Sequence, residues 1–128
     1  MRTAVISAML LLASHSAWTQ EDKVPKTRLG SPAAATGFIG GESHDSYVLH
    51  AEKGRTLSVQ ISWEVTGGNN AQFTVSESSN FFDGSPVRFG SQSDDGKRWS
   101  GKVPKTADYY IYVVAHPTAH YTLRETVH

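Results

Sequence analysis

The residue types that usually carry chemistry are sparse in this sequence and poorly spaced for catalysis. His44, Asp45 and Ser46 are consecutive. A nucleophile, its base and the group that orients the base must converge in the fold, whereas neighbours on a strand point to opposite faces. A polar loop leading into a strand is therefore the better interpretation. The sequence contains no cysteine, which excludes cysteine nucleophiles and thiolate metal sites. We predict a non-enzymatic protein without a cofactor.

Two pairs of residues have side chains of a type that binds metal ions. His116 and His120 are four residues apart, but Pro117 between them forbids the helix that would align them. Asp94 and Asp95 could offer carboxylates to calcium, although their spacing matches no calcium-binding loop. We expect a loop position for the histidines and a turn for the aspartates. Weak metal binding by either pair stays open, and no metal ligand is assigned.

Aromatic residues outside the predicted core are the remaining candidates for function. Phe81 and Phe82 lie in a long segment, 77–96, that lacks a regular pattern. Tyr110 and Tyr112 alternate with apolar residues and should therefore point away from the core. Tyrosine suits recognition surfaces, because it offers contact area at low entropic cost and a hydrogen-bonding tip. The phenylalanines form either a plug beneath the loop or a binding tip; the tyrosines either stabilise the sheet or form a contact surface.

Alternation with a period of two predicts the strands that position these residues. Between 56 and 65, five apolar residues fall on one face and polar residues fall on the other. This strand is predicted to form a hairpin with 45–51, and 99–115 is predicted as two strands joined by a tight turn. Further short strands are predicted at 26–29, 35–39, 71–75, 87–89 and 121–127. Glu125 interrupts the apolar face of the last strand, where fraying would tolerate it.

This pattern predicts an all-β fold. Seven or eight short strands, regular turns and no helical segment are typical of an antiparallel β-sandwich, here jelly-roll-like. Twelve basic residues balance twelve acidic ones. No block of like charge exists to attract nucleic acid or anionic lipid, so neither is expected as a partner.

The first residues have the order of a secretory signal. A basic start at Met1-Arg2 precedes an apolar run over 4–13, and small residues follow. We predict a signal peptide over 1–17 with cleavage near 16–20, a flexible lead-in over 18–26 and a sandwich domain over 27–128. The lack of cysteine favours a bacterial periplasm, where disulfides are optional.

Two segments resemble a known family. The first has the pattern Tyr-x-x-x-Ala-x-x-Gly from Tyr47 to Gly54. The second has Trp-x-Gly-x-x-Pro from Trp99 to Pro104, followed by a strand that begins near Asp108. With these segments, the chain resembles the periplasmic inhibitors of goose-type lysozyme and, more loosely, the bacterial pre-peptidase C-terminal domains.

The resemblance implies a secreted or periplasmic binding protein whose loops enter the glycan-binding cleft of a lysozyme. Its partner would be a protein, and it would have no membrane contact after signal removal. The alternative is a secreted module that binds carbohydrate or peptide. Family members commonly carry an arginine-rich loop before the last strand, where this chain has 116–120 without arginine. Exposure and loop position select the candidate partner-binding residues Phe81, Phe82, Arg88, Tyr110, Tyr112, His116 and His120.

Overall fold

Two β-sheets packed face to face form the protein. The computed structural model describes residues 20–128, so the predicted signal peptide and its cleavage point lie outside the described residues. The strands are β1 (Lys26–Arg28), β2 (Ala33–Gly40), β3 (Asp45–Ala51), β4 (Thr56–Trp63), β5 (Asn70–Ser76), β6 (Gly90–Gln92), β7 (Arg98–Lys102), β8 (Ala107–His116) and β9 (Thr118–Val127). A single turn of 3-10 helix, Phe81–Asp83, lies between β5 and β6. The predicted all-β sandwich is confirmed, with nine strands in the described chain rather than seven or eight.

One sheet has four strands in the order β1-β3-β8-β5, and the other has five in the order β2-β9-β4-β7-β6. All neighbouring strands are antiparallel except β1 and β3, which run parallel. Residues 20–128 include no helix with the length and apolar character needed to cross a bilayer.

The hydrophobic core lies between the inner faces of the two sheets. Ile111 and Val113 of β8 and Leu57 of β4 are completely buried there. Fully burying such a side chain stabilises the fold by about 1.5–3 kcal/mol. The predicted alternation is thus confirmed for β8 and for most of β4. It is wrong for Val65, which is 73 % exposed, because β4 ends at Trp63 and the chain leaves the sheet.

Both predicted hairpins are wrong in their pairing. β3 and β4 belong to different sheets, and so do β7 and β8, so the intervening turns carry the chain from one sheet to the other. These turns bond to each other: Gly54 N–H donates to Val103 C=O at 2.8 Å, and Val103 N–H donates to Arg55 C=O at 2.8 Å. Gly54 has the positive φ expected of it, 91°. Alternation reports which face of a strand is buried, but not which strand lies beside it.

The short strand predicted at 87–89 is also wrong. The strand in this segment is β6, which pairs with β7 and begins at Gly90. A Cβ at Gly90 would collide with the ring of Trp99, so this close approach requires glycine. Val87 instead bonds across to the other sheet, where its N–H donates to Val75 C=O at 2.9 Å.

The sequence predicted that Glu125 lies near a frayed strand end. Instead, its side chain lies inside the sandwich. It is 2 % exposed, and its position in β9 pairs with Val59 of β4 and Ala33 of β2. Neither carboxyl oxygen has a hydrogen-bond partner of good geometry among the described residues. The nearby Ser31 hydroxyl, which bonds to the backbone of Val127, lowers the pKa of this carboxyl but does not offset burial. Burial raises the pKa of Glu125 to about 7.

Glu125→Gln should stabilise the protein above neutral pH. The raised pKa means that Glu125 is neutral in the fold at low pH and that wild-type stability falls as the pH rises from about 4.5 to about 7. Removing the charge should therefore raise the free energy of unfolding at pH 8 by up to about 3 kcal/mol and change it little at pH 4. Urea unfolding at both values measures this. The exposed residue Glu64 supplies the control, Glu64→Gln, and an equal effect of both variants would contradict the assignment.

Candidate protein-binding site

Four of the predicted site residues meet on the outer face of the four-stranded sheet. Tyr110 and Tyr112 project from β8 with nearly parallel rings, whose centroids are 6.5 Å apart. The segment after β5 folds over this face and places the ring of Phe81 5.5 Å from that of Tyr112. Phe82 contacts Phe81 edge to face at 5.3 Å. Residues far apart in sequence thus form one aromatic cluster. Convergence on one surface is a condition that a shared role in partner binding would have to meet.

Tyr112 is buried, contrary to the exposed position predicted for it. It is 2 % exposed, because Phe81 and His44 cover its ring. Its hydroxyl donates to the carbonyl oxygen of Ser78 at 2.5 Å. Burial, with smaller contributions from the charges of Asp22 and Tyr110, raises the pKa of Tyr112 to about 12. Tyr112 therefore stays neutral and ties the covering segment to the sheet rather than touching a partner.

His44 is a member of this cluster that sequence reasoning missed. Its ring stacks on Phe81 with centroids 3.8 Å apart and planes 7° from parallel. Asp45 faces the other way and accepts a hydrogen bond from the hydroxyl of Tyr121. Buried Ser46 lies beside Tyr112 in the strand register, but its hydroxyl has no hydrogen-bond partner among the described residues. The three consecutive polar residues thus form no catalytic arrangement, as the sequence indicated.

The carboxylate of Asp22 holds the cluster in place. Its side chain is 2 % exposed, and it accepts hydrogen bonds from the N–H groups of Val24 at 3.1 Å and Phe81 at 3.0 Å. His44 Nε2 donates to it at 3.2 Å, and the ammonium of Lys26 lies 3.6 Å away. The predicted lead-in over 18–26 therefore contains an anchored residue. Nothing in the local sequence pattern marks Asp22, because two of its partners, His44 and Phe81, come from distant segments.

Opposing effects set the protonation of Asp22. Burial alone would raise the pKa of this carboxyl. The N–H donors of Phe81 and Val24, together with the charges of Lys26 and His44, more than offset burial, so the pKa lies below its usual range. Asp22 is thus ionised and accepts these bonds across the whole neutral range.

The part of the cluster that solvent reaches is small. Phe82 is 45 % exposed, and Tyr110 is half-buried. Farther along the same segment, exposed Arg88 lines a groove of about 630 Å³ that also includes Asp83 and Ser78. The plug interpretation therefore describes Phe81, whereas Phe82 has the exposure of a binding tip.

The two candidate histidines lie apart from the aromatic cluster and from each other. Exposed His116 ends β8 in the four-stranded sheet. His120 lies on β9 of the five-stranded sheet, with its ring 4.3 Å from that of Phe38. Within residues 20–128, no three His, Asp or Glu side chains are placed to hold a metal ion together.

The aspartate pair lies in a turn, as predicted. Asp95 accepts hydrogen bonds from the Ser93 hydroxyl at 2.6 Å and from the Lys97 N–H at 2.9 Å. Gly96 provides the positive φ, 74°, that completes this turn before β7.

Solved structures share this architecture at low sequence identity. Periplasmic PliG of Aeromonas hydrophila, an inhibitor of g-type lysozyme, is 22 % identical with a TM-score of 0.65, covering 83 % of this chain and 98 % of its own. PliG of Salmonella Typhimurium is 17 % identical with a TM-score of 0.53, covering 80 % and 98 %. The pre-peptidase C-terminal domain of a Bacillus anthracis collagenase is 18 % identical with a TM-score of 0.59, covering 85 % and 100 %.

Both resemblances seen in the sequence are therefore confirmed as likenesses of fold. At these identities, the fold is what the neighbours have in common with this chain. No protein-family model matches the chain. No curated protein matches it significantly.

Asp22→Asn should loosen the aromatic cluster. The amide keeps the shape but removes the charge that His44 and Lys26 face, which should cost about 1–3 kcal/mol of unfolding free energy at pH 7. Because the native pKa is lowered, this stabilisation is present above the ordinary carboxyl pKa of 3.8 and disappears as the pH falls through the native value.

Chemical denaturation at pH 7 and pH 3 measures this difference between Asp22→Asn and wild type. Exposed Asp94, which has no hydrogen bond to its side chain among the described residues, supplies the control Asp94→Asn. A loss that is equally large at pH 3 would show that the carboxylate charge is not what holds the cluster.

Proposed function

We propose that this protein is a non-enzymatic, periplasmic inhibitor of goose-type lysozyme. The observation that carries the proposal is the match over nearly the full length of two PliG proteins, each described as a periplasmic inhibitor of g-type lysozyme. The local sequence patterns at 47–54 and 99–104 agree with this fold, since most of their matched positions are turn and core positions. In the described chain, the polar triplet at 44–46 forms no catalytic arrangement, which agrees with a binding role.

The proposed contact surface is the segment between β5 and β6, with Phe82 at its tip. Phe82 exposes almost half of its surface while its neighbour Phe81 is fixed beneath it by His44 and Asp22. An exposed aromatic on a fixed support loses little conformational freedom on binding, which favours affinity. Asn80 caps the short helical turn, because its side-chain oxygen accepts from the Phe82 N–H at 3.0 Å. The tip is therefore positioned before the partner arrives.

Inhibition would follow from insertion of this tip into the substrate cleft. Phe82 would occupy space that a sugar ring requires, and half-buried Tyr110 would add contact area. Glycoside hydrolases use carboxyl groups in the cleft, and the exposed guanidinium of Arg88 is suited to pair with one of them. His116 and His120 lie outside this surface, so they would not take part in the same contact.

The second candidate is a secreted module that binds carbohydrate or peptide. The likeness to the pre-peptidase C-terminal domain, which covers all of that domain and 85 % of this chain, favours it. The two proposals differ in the partner, and a lysis assay separates them.

Phe82→Ala should weaken inhibition of goose-type lysozyme by about tenfold or more, as loss of a central aromatic anchor does. Turbidity of a bacterial cell-wall suspension measures lysis over a range of inhibitor concentrations. Phe38→Ala is the matched control, because Phe38 is even more exposed than Phe82 but lies on the other sheet. We expect no effect of that control and no inhibition of chicken-type lysozyme.

Absence of inhibition by the wild-type protein at micromolar concentration would reject the lysozyme proposal. If Phe82→Ala inhibits as strongly as wild type, goose-type lysozyme remains the proposed partner, but the contact must lie on another loop. Unfolding curves of both variants identify any loss that arises from misfolding.

A further inference from the structure

The outer face of the five-stranded sheet has a composition unlike that of the aromatic cluster. Its side chains form rows across the strands, which the strand register defines. One row is made of hydroxyl groups, with Ser91, Ser100, Ser58 and Thr126 on neighbouring strands. The hydroxyl oxygens of Ser58 and Ser100 lie 3.4 Å apart. Such groups both donate and accept hydrogen bonds, as sugar hydroxyls do.

The next row carries two guanidinium groups. Gln60 of β4 pairs with Arg98 of β7 on one side and with Arg124 of β9 on the other. The two arginines therefore lie two strand spacings apart, about 10 Å, with an amide between them. Both arginine side chains are exposed and line a groove of about 530 Å³ together with the hydroxyl row.

These two positive charges are available to a ligand. Within residues 20–128, no carboxylate forms an ion pair with Arg98 or Arg124. Asp95 is the nearby acid whose ionisation Arg98 favours, but Asp95 is already bonded to Ser93 and Lys97. Exposed guanidinium groups on a rigid sheet favour planar anions such as carboxylates, which they bind through paired hydrogen bonds.

The same face continues to an exposed aromatic ring. A third row pairs Thr36, Thr122 and Ser62, and beyond it lie Phe38 and His120. Phe38 is 58 % exposed, and a shallow groove of about 410 Å³ runs beside it past these hydroxyls and the exposed carboxylate of Glu64. Because Glu64 would repel an anion, an acidic sugar ring at this end is expected to stack on Phe38 with its carboxylate directed towards the arginine row. A flat apolar ring in line with hydroxyl, amide and guanidinium groups matches the two kinds of surface that a sugar ring presents.

We propose that this face binds an acidic polysaccharide, one whose sugar rings carry carboxylate groups. Arg98 and Arg124 bind carboxylates along the chain, Gln60 and the serine row bind sugar hydroxyls, and Phe38 stacks on a ring at the end. The site lies on the opposite sheet from the proposed lysozyme contact and does not depend on it. It gives the carbohydrate-binding alternative a location and a ligand class.

Other ligands fit this surface less well. A neutral glycan leaves two exposed guanidinium groups without a partner of opposite charge. Nucleic acid binding relies on many phosphate contacts and on repeated base stacking. This face offers two arginines, one lysine (Lys102, in register with Thr56) and one exposed phenylalanine, in a chain with no net charge.

Affinity electrophoresis in native gels containing polygalacturonate tests the proposal, with a neutral galactan as the comparison polymer. Wild type should be retarded by polygalacturonate only, and less so as salt is raised, because salt screens the charge contacts. The double variant Arg98→Gln/Arg124→Gln should lose about tenfold or more in affinity, and each single variant should lose part of this. Phe38→Ala should weaken binding several-fold while keeping the preference for the acidic polymer.

The controls separate specific binding from net charge. Arg55→Gln/Arg88→Gln removes the same charge from exposed sites off this face and should bind polygalacturonate as wild type does. Phe82→Ala should also bind normally, while the double variant Arg98→Gln/Arg124→Gln should still inhibit lysozyme, so the two proposals fail separately. Equal losses in both double variants, equal retardation by galactan, or tighter binding to a single-stranded oligonucleotide would overturn the assignment. Far-ultraviolet circular dichroism checks that each variant is folded.

Discussion

Burial of one apolar face from each sheet against the other is the constraint on which the rest of this structure depends. The inward residues of β4 and β8 meet at the centre, and the two turns that cross between the sheets are hydrogen-bonded through Gly54 and Val103. Because these faces supply the core, the outward side chains need not be apolar. The fold thus provides two outer surfaces whose composition can follow function.

The outer surfaces of the two sheets differ in what covers them. On the four-stranded sheet, the segments at 20–24 and 77–83 cover the strands and form a second, smaller buried cluster around Tyr112. An ionised carboxylate at Asp22 organises it, because a single acidic group accepts bonds from three segments at once. The result is a fixed support with Phe82 exposed at its tip. The five-stranded sheet has its outer face open, with rows of hydroxyl and guanidinium groups.

Glu125 shows the cost of departing from the inward apolar pattern. Its carboxyl group occupies a core position without a hydrogen-bond partner among the described residues, and burial raises its pKa close to neutrality. A buried charge without a partner destabilises the fold. The cost is therefore smallest at acidic pH, where the carboxyl group of Glu125 is neutral. The backbone at this point pairs with β2 and β4 on either side, so the cost falls on the side chain alone.

The sequence by itself determined the all-β class, most strand positions and the core-facing side of the longer strands, because a period of two is a local property of the chain. It also identified Phe81, Phe82, Tyr110 and Tyr112 as a group of interest. Only the tertiary structure decided that the supposed hairpins cross between sheets, that Tyr112 is covered, and that His44 and Asp22 belong to the same cluster as Phe81. Pairing between strands and contacts between distant segments are fixed by the packing of the whole molecule, and no local pattern records them.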